Sequence, residues 1–189
     1  MLWGNHMDKN EALLLLDCLY PDFFEREMIR NLPSEWICDE MILDLNEFDE
    51  NLYSKNFDDN ISFGIYEGDL EKLKELVGEV VEYWTELYNG KHRAYCGYED
   101  GKVASFCLIE DMGTHNINGR TIKVGGPGCV GTLPEYREKG IGLTMVKNVT
   151  RILKEEGYDY SYIHFTGVHS WYSKLGYKSS VKWNKNGVL

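Results

Sequence analysis

The hydrophobic pattern becomes regular at Ile61, where a strand-like segment is followed by a long helical one. Residues 61–67 form a short, mostly apolar run that is typical of a strand. Asp69 is a suitable N-cap for a following helix, and Asn89-Gly90 is a suitable end. Between them, apolar side chains recur at three- and four-residue steps, which predicts an amphipathic helix. These side chains are Leu70, Leu73, Leu76, Val77, Val80, Val81, Trp84 and Leu87.

The next part of the chain has the pattern of three strands. Residues 92–98 and 102–110 are two strands joined by Glu99-Asp100-Gly101, a hairpin signal because Asp and Gly tolerate positive φ. A third strand is predicted over residues 121–132, and it is interrupted by Gly125-Gly126-Pro127-Gly128. Such an interruption indicates a bulge, or the close approach of another backbone or a ligand.

A strand, a helix and a further strand follow one another between Thr121 and Phe165. The helix is predicted over residues 141–155 and the strand after it over residues 158–165. Such a unit forms a right-handed parallel crossover, so the fold class is mixed α/β. A last strand is predicted over residues 179–183. The apolar stripe of the helix consists of Ile141, Met145, Val149 and Ile152, flanked by Val146 and Leu153.

The first sixty residues have a different pattern, which predicts short helices and loops. Residues 10–19 are apolar enough to pack against another surface, and Pro21-Asp22 is expected to start a helix that runs to about Asn31. Residues 46–60 are rich in acidic residues and asparagine, as in an exposed loop. The sequence therefore divides into an N-terminal helical and loop segment, 1–60, that packs on a core domain, 61–189.

Charge and cysteine usage restrict the partners and the compartment. The formal net charge of −11 argues against a nucleic-acid binder, which needs a basic face for phosphates. The acidic balance either favours cationic partners such as amines or only keeps the protein soluble. The five cysteines include no C-x-x-C pair, which predicts free thiols in the cytoplasm and no metal site. The apolar run Leu13 to Leu16 is too short to span a membrane.

The most informative stretch is Arg137-Glu138-Lys139-Gly140-Ile141-Gly142, which lies between a predicted strand and a predicted helix. A glycine-rich turn at this position directs free backbone N–H groups and the positive end of the helix dipole at one point. The two glycines let an anion approach the backbone more closely than a Cβ atom would allow. We therefore expect an anion site here, and a pyrophosphate would satisfy it.

A second motif, Trp171-Tyr172-Ser173-Lys174-Leu175-Gly176-Tyr177, follows the helix and one further strand. In this order, the two motifs resemble the GNAT superfamily of acyl-CoA-dependent N-acyltransferases. The resemblance is specific over residues 124–178 and looser over residues 61–124. It implies a mostly antiparallel central sheet flanked by helices, with a parallel β-α-β unit that binds the cofactor.

The resemblance also implies functional roles for particular residues. The glycine-rich turn of the family holds the coenzyme A pyrophosphate, and the preceding strand pairs with the pantetheine arm. The tyrosine of the second motif commonly protonates the departing thiolate, which gives that role to Tyr172. The implied binding residues for acetyl-CoA are Val130, Gly131, Thr132, Arg137, Glu138, Lys139, Gly140, Ile141, Gly142 and Leu143.

The group that deprotonates the amine is less clearly indicated. Family members use a carboxylate or histidine on the central strands, or a chain of water molecules. Glu110, at the end of a predicted strand, is the first candidate here. His115 and His169 are the alternatives, because imidazole titrates near neutral pH.

The resulting hypothesis is an N-acetyltransferase that moves an acetyl group from acetyl-CoA to a primary amine. The alternative is a non-catalytic acyl-CoA-binding sensor or partner subunit on the same fold. A nucleotide-binding loop at Gly125 to Gly128 is excluded, because no helix follows directly and no Lys-Ser/Thr pair is present. The amine, the length of the acyl group and the formation of a homodimer are left open.

Overall fold

One eight-stranded sheet runs through the computed structural model, which describes residues 7–189. The strands are β1 (Cys38–Asp44), β2 (Ile61–Ile65), β3 (Arg93–Glu99), β4 (Lys102–Ile117), β5 (Arg120–Thr132), β6 (Tyr160–Thr166), β7 (Lys178–Asn184) and β8 (Gly187–Val188). The α-helices are α1 (Lys9–Leu19), α2 (Glu27–Arg30), α3 (Leu70–Val80), α4 (Ile141–Glu155) and α5 (His169–Tyr172). Short 3-10 helices cover Phe23–Glu25, Glu50–Leu52, Glu82–Leu87, Pro134–Tyr136 and Ser173–Leu175.

The strands lie in the order β2-β3-β4-β5-β6-β1-β7-β8 across the sheet. All neighbours are antiparallel except β5 and β6, which are parallel and are connected through α4. The predicted mixed α/β architecture, with its one parallel β-α-β unit, is confirmed. The helix predicted over residues 141–155 has the bounds of α4.

Strand β1 is the main difference from the sequence-based expectation. Residues 1–60 were expected to contain only short helices and loops, yet β1 lies inside the sheet, between β6 and β7, and pairs with both. The pattern of β1 is hard to recognise because it does not alternate: two acidic residues, Asp39 and Glu40, precede an apolar run, and both are buried. A strand that is covered on both faces has no polar side to give a two-residue period.

Two predicted helices are also broken up. The apolar stripe that begins at Leu70 is α-helical only to Val80, because Val81 has extended backbone angles and a 3-10 helix follows it. The stretch after Pro21 forms a 3-10 turn and then the short helix α2, rather than one helix to Asn31. The predicted loop of residues 46–60 contains a single 3-10 turn.

Apolar side chains are buried on both faces of the sheet. The face covered by α4, called the α4 face below, is packed by one large cluster. The opposite face, called the α1–α3 face, is packed by two clusters, one under α1 and one under α3. Successive residues Cys107 and Leu108 of β4 alternate between the two faces. Among residues 7–189, no helix has the length and apolarity needed to cross a membrane.

Strands β5 and β6 separate soon after they meet. Their ladder consists of Val124 with Tyr160 and Gly125 with Ser161. Beyond it, β5 continues to pair with β4 as far as Thr132, whereas β6 pairs with β1 as far as Thr166. The sheet therefore opens between the carboxyl ends of β5 and β6, and this opening is called the β5–β6 gap below.

Gly126 lies where the gap begins, and it has no space for a side chain. A methyl group on this glycine would collide with the backbone carbonyl of Tyr162, which cannot move without shifting β6. A glycine is therefore required at this position by the approach of the two strands.

We expect Gly126→Ala to lower the free energy of unfolding by about 1–3 kcal/mol, because overpacked sites relax only by moving backbone. Gly64→Ala is a matched control, since Gly64 also lies in a strand and has no atom within 4 Å of its added methyl group. Urea unfolding followed by tryptophan fluorescence measures both changes. Equal stability of the two variants would contradict the close approach of β5 and β6.

Candidate active site

The turn before α4 presents unpaired backbone N–H groups. Gly140 is the N-cap of α4 and has a left-handed backbone, with φ of 85°, and no side chain caps the helix. The N–H groups of the first helical turn are therefore free to bind an anion. Arg137 fixes the turn to the end of β5, because its Nε donates to the carbonyl oxygen of Thr132 at 3.2 Å.

Glycine is required at two positions in this turn. A methyl group on Gly142 would lie 2.6 Å from Thr132 Oγ1, so the start of α4 packs directly on the end of β5. A methyl group on Gly140 would lie 2.8 Å from the hydroxyl oxygen of Tyr53. The structure thus brings together the predicted binding residues from Thr132 to Leu143, and it adds Tyr53 from the segment between β1 and β2.

The basic residues near the turn are already engaged. Lys139 pairs with Glu99 at 2.5 Å. On α4, Lys147 donates to the carbonyl oxygen of Tyr53 at 3.1 Å, and Lys154 to that of Phe48 at 3.2 Å. These two side chains hold residues 48–53 along the helix.

Strand β5 contains a bulge close to the gap. Phe106 pairs with Gly131 and Leu108 with Gly128, so two residues of β5, Cys129 and Val130, lie opposite a single residue of β4. Cys129 has a φ of 47°, and its carbonyl oxygen accepts a hydrogen bond from the Tyr88 hydroxyl at 3.0 Å. A bulge leaves backbone groups outside the ladder, and in this bulge the carbonyl of Cys129 has a side-chain partner.

Tyr172 lies at the end of α5, buried in the cluster on the α4 face. Its ring packs edge-on against Trp171 and Tyr177, at centroid distances of 4.8 and 6.1 Å. Burial raises the pKa of its hydroxyl group, and nearby Tyr177, Cys107 and Cys129 add to this effect. Within residues 7–189, the Tyr172 hydroxyl group has no hydrogen-bond partner, so it is free to donate to a ligand.

Glu110 lies on the α1–α3 face, opposite to Tyr172. Its carboxylate covers Gly128, next to the bulge, and occupies the space that a methyl group on that glycine would need. Burial raises the pKa of this carboxyl group, while nearby His164 and Lys91 act to lower it. Glu110 and Tyr172 therefore approach the bulge from the two faces of the sheet.

The two histidines named in the sequence analysis lie elsewhere. The Nε2 atom of His115 is 2.8 Å from the carbonyl oxygen of Met112, in the distal part of β4. His169 is half exposed on α5, with Nδ1 3.5 Å from Asp39 Oδ2. The histidine that influences the pKa of Glu110 is instead His164, on β6.

His164 belongs to a buried cluster around Glu40 of β1. Oε2 of Glu40 lies 2.9 Å from His164 Nδ1 and accepts a hydrogen bond from the Tyr162 hydroxyl at 2.7 Å. Oε1 accepts hydrogen bonds from Trp183 Nε1 at 2.8 Å and from the Phe165 backbone N–H at 3.2 Å. Sequence reasoning missed the cluster because β1 was not predicted, although Tyr162 and His164 share one face of a predicted strand.

A cavity of about 230 Å³ lies on the same face of the sheet as Glu110. Its lining includes Leu108, two residues before Glu110 on β4, and Tyr88, whose hydroxyl group contacts the bulge. The cavity offers space for a molecule on the α1–α3 face, away from the turn before α4.

Comparison with solved structures identifies similar folds. The glucosamine N-acetyltransferase region of a fungal multi-domain GH3 β-N-acetylglucosaminidase matches with a TM-score of 0.62 and 22% identity, over 79% of this chain and 20% of that one. A GCN5-related N-acetyltransferase from Kribbella flavida matches with a TM-score of 0.54 and 16% identity, over 78% of this chain and 56% of that one. A ribosomal-protein-alanine N-acetyltransferase from Brucella melitensis matches with a TM-score of 0.51 and 13% identity, over 61% of this chain and 90% of that one.

The chain spans about a fifth of the first of these proteins and just over half of the second. At such low identities the likeness concerns the fold alone. Among curated proteins, no significant sequence match is found. A family model of the acetyltransferase (GNAT) domain, however, matches residues 60–179, which is well over half of the sequence. The chain therefore belongs to the GNAT family of acetyltransferases, whose members use an acyl-CoA donor.

Proposed function

We propose that this protein transfers an acetyl group from acetyl-CoA to a primary amine of a small molecule or protein, by direct attack in a ternary complex. The observation that carries the proposal is the arrangement around the bulge of β5. Glu110 approaches it from the α1–α3 face and Tyr172 from the α4 face. An amine and a thioester meeting in the gap would each have a group suited to its proton transfer.

The donor would be held mainly by backbone. The uncapped N–H groups at the start of α4 suit the pyrophosphate, with Arg137, Glu138 and Lys139 shaping the turn. The pantetheine arm would lie along residues 130–132, where β5 has left β6. A backbone N–H at the bulge would polarise the thioester carbonyl, as an oxyanion-hole donor does.

Tyr172 would protonate the sulfur as it leaves. Burial keeps the hydroxyl group neutral, which is the form that donates. Its pKa is raised above that of an ordinary thiol, about 8.5, so transfer to the thiolate is uphill unless the proton is replaced. A proton lost by the amine can replace the one that Tyr172 gives up, which couples the action of Tyr172 to that of the base.

Glu110 would accept the first proton of the ammonium group, directly or through a water molecule. Its negative charge attracts a cation, and its raised pKa makes it a stronger base than an exposed carboxylate. The net charge of −11 adds a long-range attraction for cationic amines. Glucosamine and an alanine amino terminus, the groups in the names of two similar structures, are reasonable first acceptors together with spermidine.

Calorimetric titration with acetyl-CoA, with ATP and NAD as controls, tests donor binding, and thiol release in the presence of the three amines tests turnover. We expect selective, saturable binding of acetyl-CoA and release of thiol with at least one amine. Binding without thiol release would favour the acyl-CoA sensor instead. Absence of binding in folded protein would contradict the proposed function.

Gly140→Trp should weaken acetyl-CoA binding by about 100-fold or more, because the side chain fills the anion site and displaces charge-assisted hydrogen bonds. Gly119→Trp is the matched control. Gly119 also has positive φ, and its added methyl group meets no atom within 4 Å. Unchanged affinity in the folded Gly140 variant would contradict the anion turn.

Tyr172→Phe should lower kcat by about 100-fold, since general acid catalysis contributes 10²-fold or more. The affinity for acetyl-CoA should stay the same, because the ring and its packing are kept. Steady-state thiol release at pH 7 measures the change, and Tyr136→Phe, in the 3-10 turn after β5, is the control. Full activity of Tyr172→Phe would exclude this residue as the acid.

Glu110→Gln should lower kcat by about 100-fold and at the same time stabilise the fold at pH 7. The charged carboxylate is penalised by burial, so wild-type stability falls as pH rises from about 4.3 through the raised folded-state pKa. Glutamine avoids this penalty, and the stability difference should vanish at low pH. Urea unfolding at several pH values measures it, with exposed Glu135→Gln as control. A Glu110 variant that is no more stable at pH 7 would contradict the burial of the charge.

A further inference from the structure

Two side chains from a distant part of the sequence lie against the glycine-rich turn before α4. We propose that Tyr53 and Lys55, in the segment between β1 and β2, bind the pyrophosphate of the acyl-CoA donor together with the N–H groups at the start of α4. The inference rests on the donor-binding part of the proposed function. It extends the donor site to a part of the chain that precedes both sequence motifs.

Residues 48–55, called the α4 strap below, run along one face of α4 towards its N-terminus. Three basic residues of α4, spaced by four and three positions and so on one face, contact the strap in order. From the C-terminal end of α4, these contacts are Lys154 Nζ with the carbonyl oxygen of Phe48 at 3.2 Å, Arg151 Nε with Glu50 Oε2 at 3.9 Å and Lys147 Nζ with the carbonyl oxygen of Tyr53 at 3.1 Å. Gly140 lies two turns before Lys147 on the same face, so the strap leads to the turn.

The end of the α4 strap lies directly over Gly140. The hydroxyl oxygen of Tyr53 is 2.8 Å from the place that a Cβ atom of Gly140 would take. Cγ and Cδ of Lys55 are 3.3 and 3.4 Å from the same place. Gly140 is the N-cap of α4, and the N–H groups that follow it have no partner within the helix. Both side chains therefore lie next to the position that a bound phosphate group would take.

The polar ends of these two side chains are not used elsewhere in residues 7–189. Within this part of the chain, the Tyr53 hydroxyl group has no hydrogen-bond partner and the Lys55 ammonium group has no ion pair. The ring of Tyr53 is partly buried against the cluster on the α4 face, which orients its hydroxyl group. Lys55 is exposed, and its alkyl chain passes over Gly140, so the ammonium group extends beyond the glycine into solvent.

A pyrophosphate is an anion at neutral pH, and the cations of the turn itself already have contacts in the protein. Arg137 donates from Nε to the carbonyl oxygen of Thr132, and Lys139 pairs with Glu99 at 2.5 Å. Lys55 has no such competing contact among residues 7–189. It can therefore give a charge-assisted hydrogen bond to the phosphate without first breaking an ion pair.

The α4 strap is fixed on both sides of these two residues. At its start, Phe48 is buried in the cluster on the α4 face. After its end, Phe57 packs against Phe63 of β2, with ring centroids 5.7 Å apart. Because the backbone that carries Tyr53 and Lys55 is already in place, little ordering of the strap opposes donor binding.

The charges of the α4 strap are separated along its length. Asp49 Oδ1 accepts from the Asn51 backbone N–H at 2.9 Å, and Glu50 faces Arg151 of α4. Both carboxylates thus have partners towards the C-terminal end of the helix. The positive charge of Lys55 lies at the N-terminal end, on the side where the donor would bind.

The test is calorimetric titration of the full chain with coenzyme A. Lys55→Met removes the charge but keeps an unbranched chain over Gly140, and Tyr53→Phe removes the hydroxyl group but keeps the ring. We expect each change to weaken binding by about 10-fold, because each removes one hydrogen bond to a charged group. Lys55→Arg should stay within about threefold of wild type, because the charge is kept.

Two further measurements separate a phosphate contact from a structural role. The loss caused by Lys55→Met should become smaller as salt is added, since salt screens an exposed charge. The loss should be the same for dephospho-coenzyme A, which keeps the pyrophosphate and lacks the 3′-phosphate. Lys72→Met, on the exposed side of α3, and Tyr83→Phe, whose side chain is 71% exposed, are the matched controls and should bind as wild type does.

The outcomes separate this inference from the proposed function. If wild type binds coenzyme A and either variant binds it within about twofold as tightly, the inference is overturned for that residue. A loss that is absent with dephospho-coenzyme A would assign Lys55 to the 3′-phosphate and overturn its assignment to the pyrophosphate. If wild type binds coenzyme A but acetylates no amine, the transferase activity fails while the role of the α4 strap stands. If wild type does not bind coenzyme A, both fail.

Discussion

A buried carboxylate must be surrounded by hydrogen-bond donors, because an uncompensated charge in the core is too costly to keep. Glu40 meets this requirement through donors on β6, one of which is the backbone N–H of Phe165, and on β7. These bonds tie the strand of the N-terminal segment to strands that lie more than a hundred residues later in the sequence. In the proposed reaction, the acceptor side of the site depends on β1 being held there.

The second constraint is the separation of β5 and β6 after Gly126. A continuous ladder would leave no space between the strands and would pair all their backbone groups with each other. The separation instead leaves the backbone around the bulge outside the ladder between β5 and β6. In the proposed reaction, the donor and the acceptor arrive from opposite faces and need not compete for one entrance.

Much of this architecture could be predicted from the sequence, and there are physical reasons why the other parts could not. Elements with a local signal were predicted well. Helix α4 has apolar residues at helical spacing, and the β3–β4 hairpin has an Asp-Gly turn. Strand β1 was missed because it is covered on both faces and carries buried acidic residues. Glu40 and His164 were missed as a consequence, since a contact across 124 residues has no local signal.

The candidate site was predictable to a similar degree. The glycine-rich turn could be located because it depends on local backbone requirements, and Tyr172 because it belongs to a motif with fixed spacing. Glu110 could be nominated from its position on a strand, but its burial follows from tertiary packing, which has no local signal. The roles of these residues stay predictions, since they depend on ligands that the fold by itself does not contain.

The central position of β1 also has a consequence for how the molecule forms. Its partners β6 and β7 are the sixth and seventh strands in the chain, so during synthesis β1 emerges long before either partner exists. Until then its apolar residues and its two buried carboxylates, Asp39 and Glu40, stay exposed to solvent or are bound by other groups. The strand pairing that completes the sheet joins residues that are far apart in the sequence. The side of the molecule proposed to receive the amine is therefore the last part of the sheet to assemble.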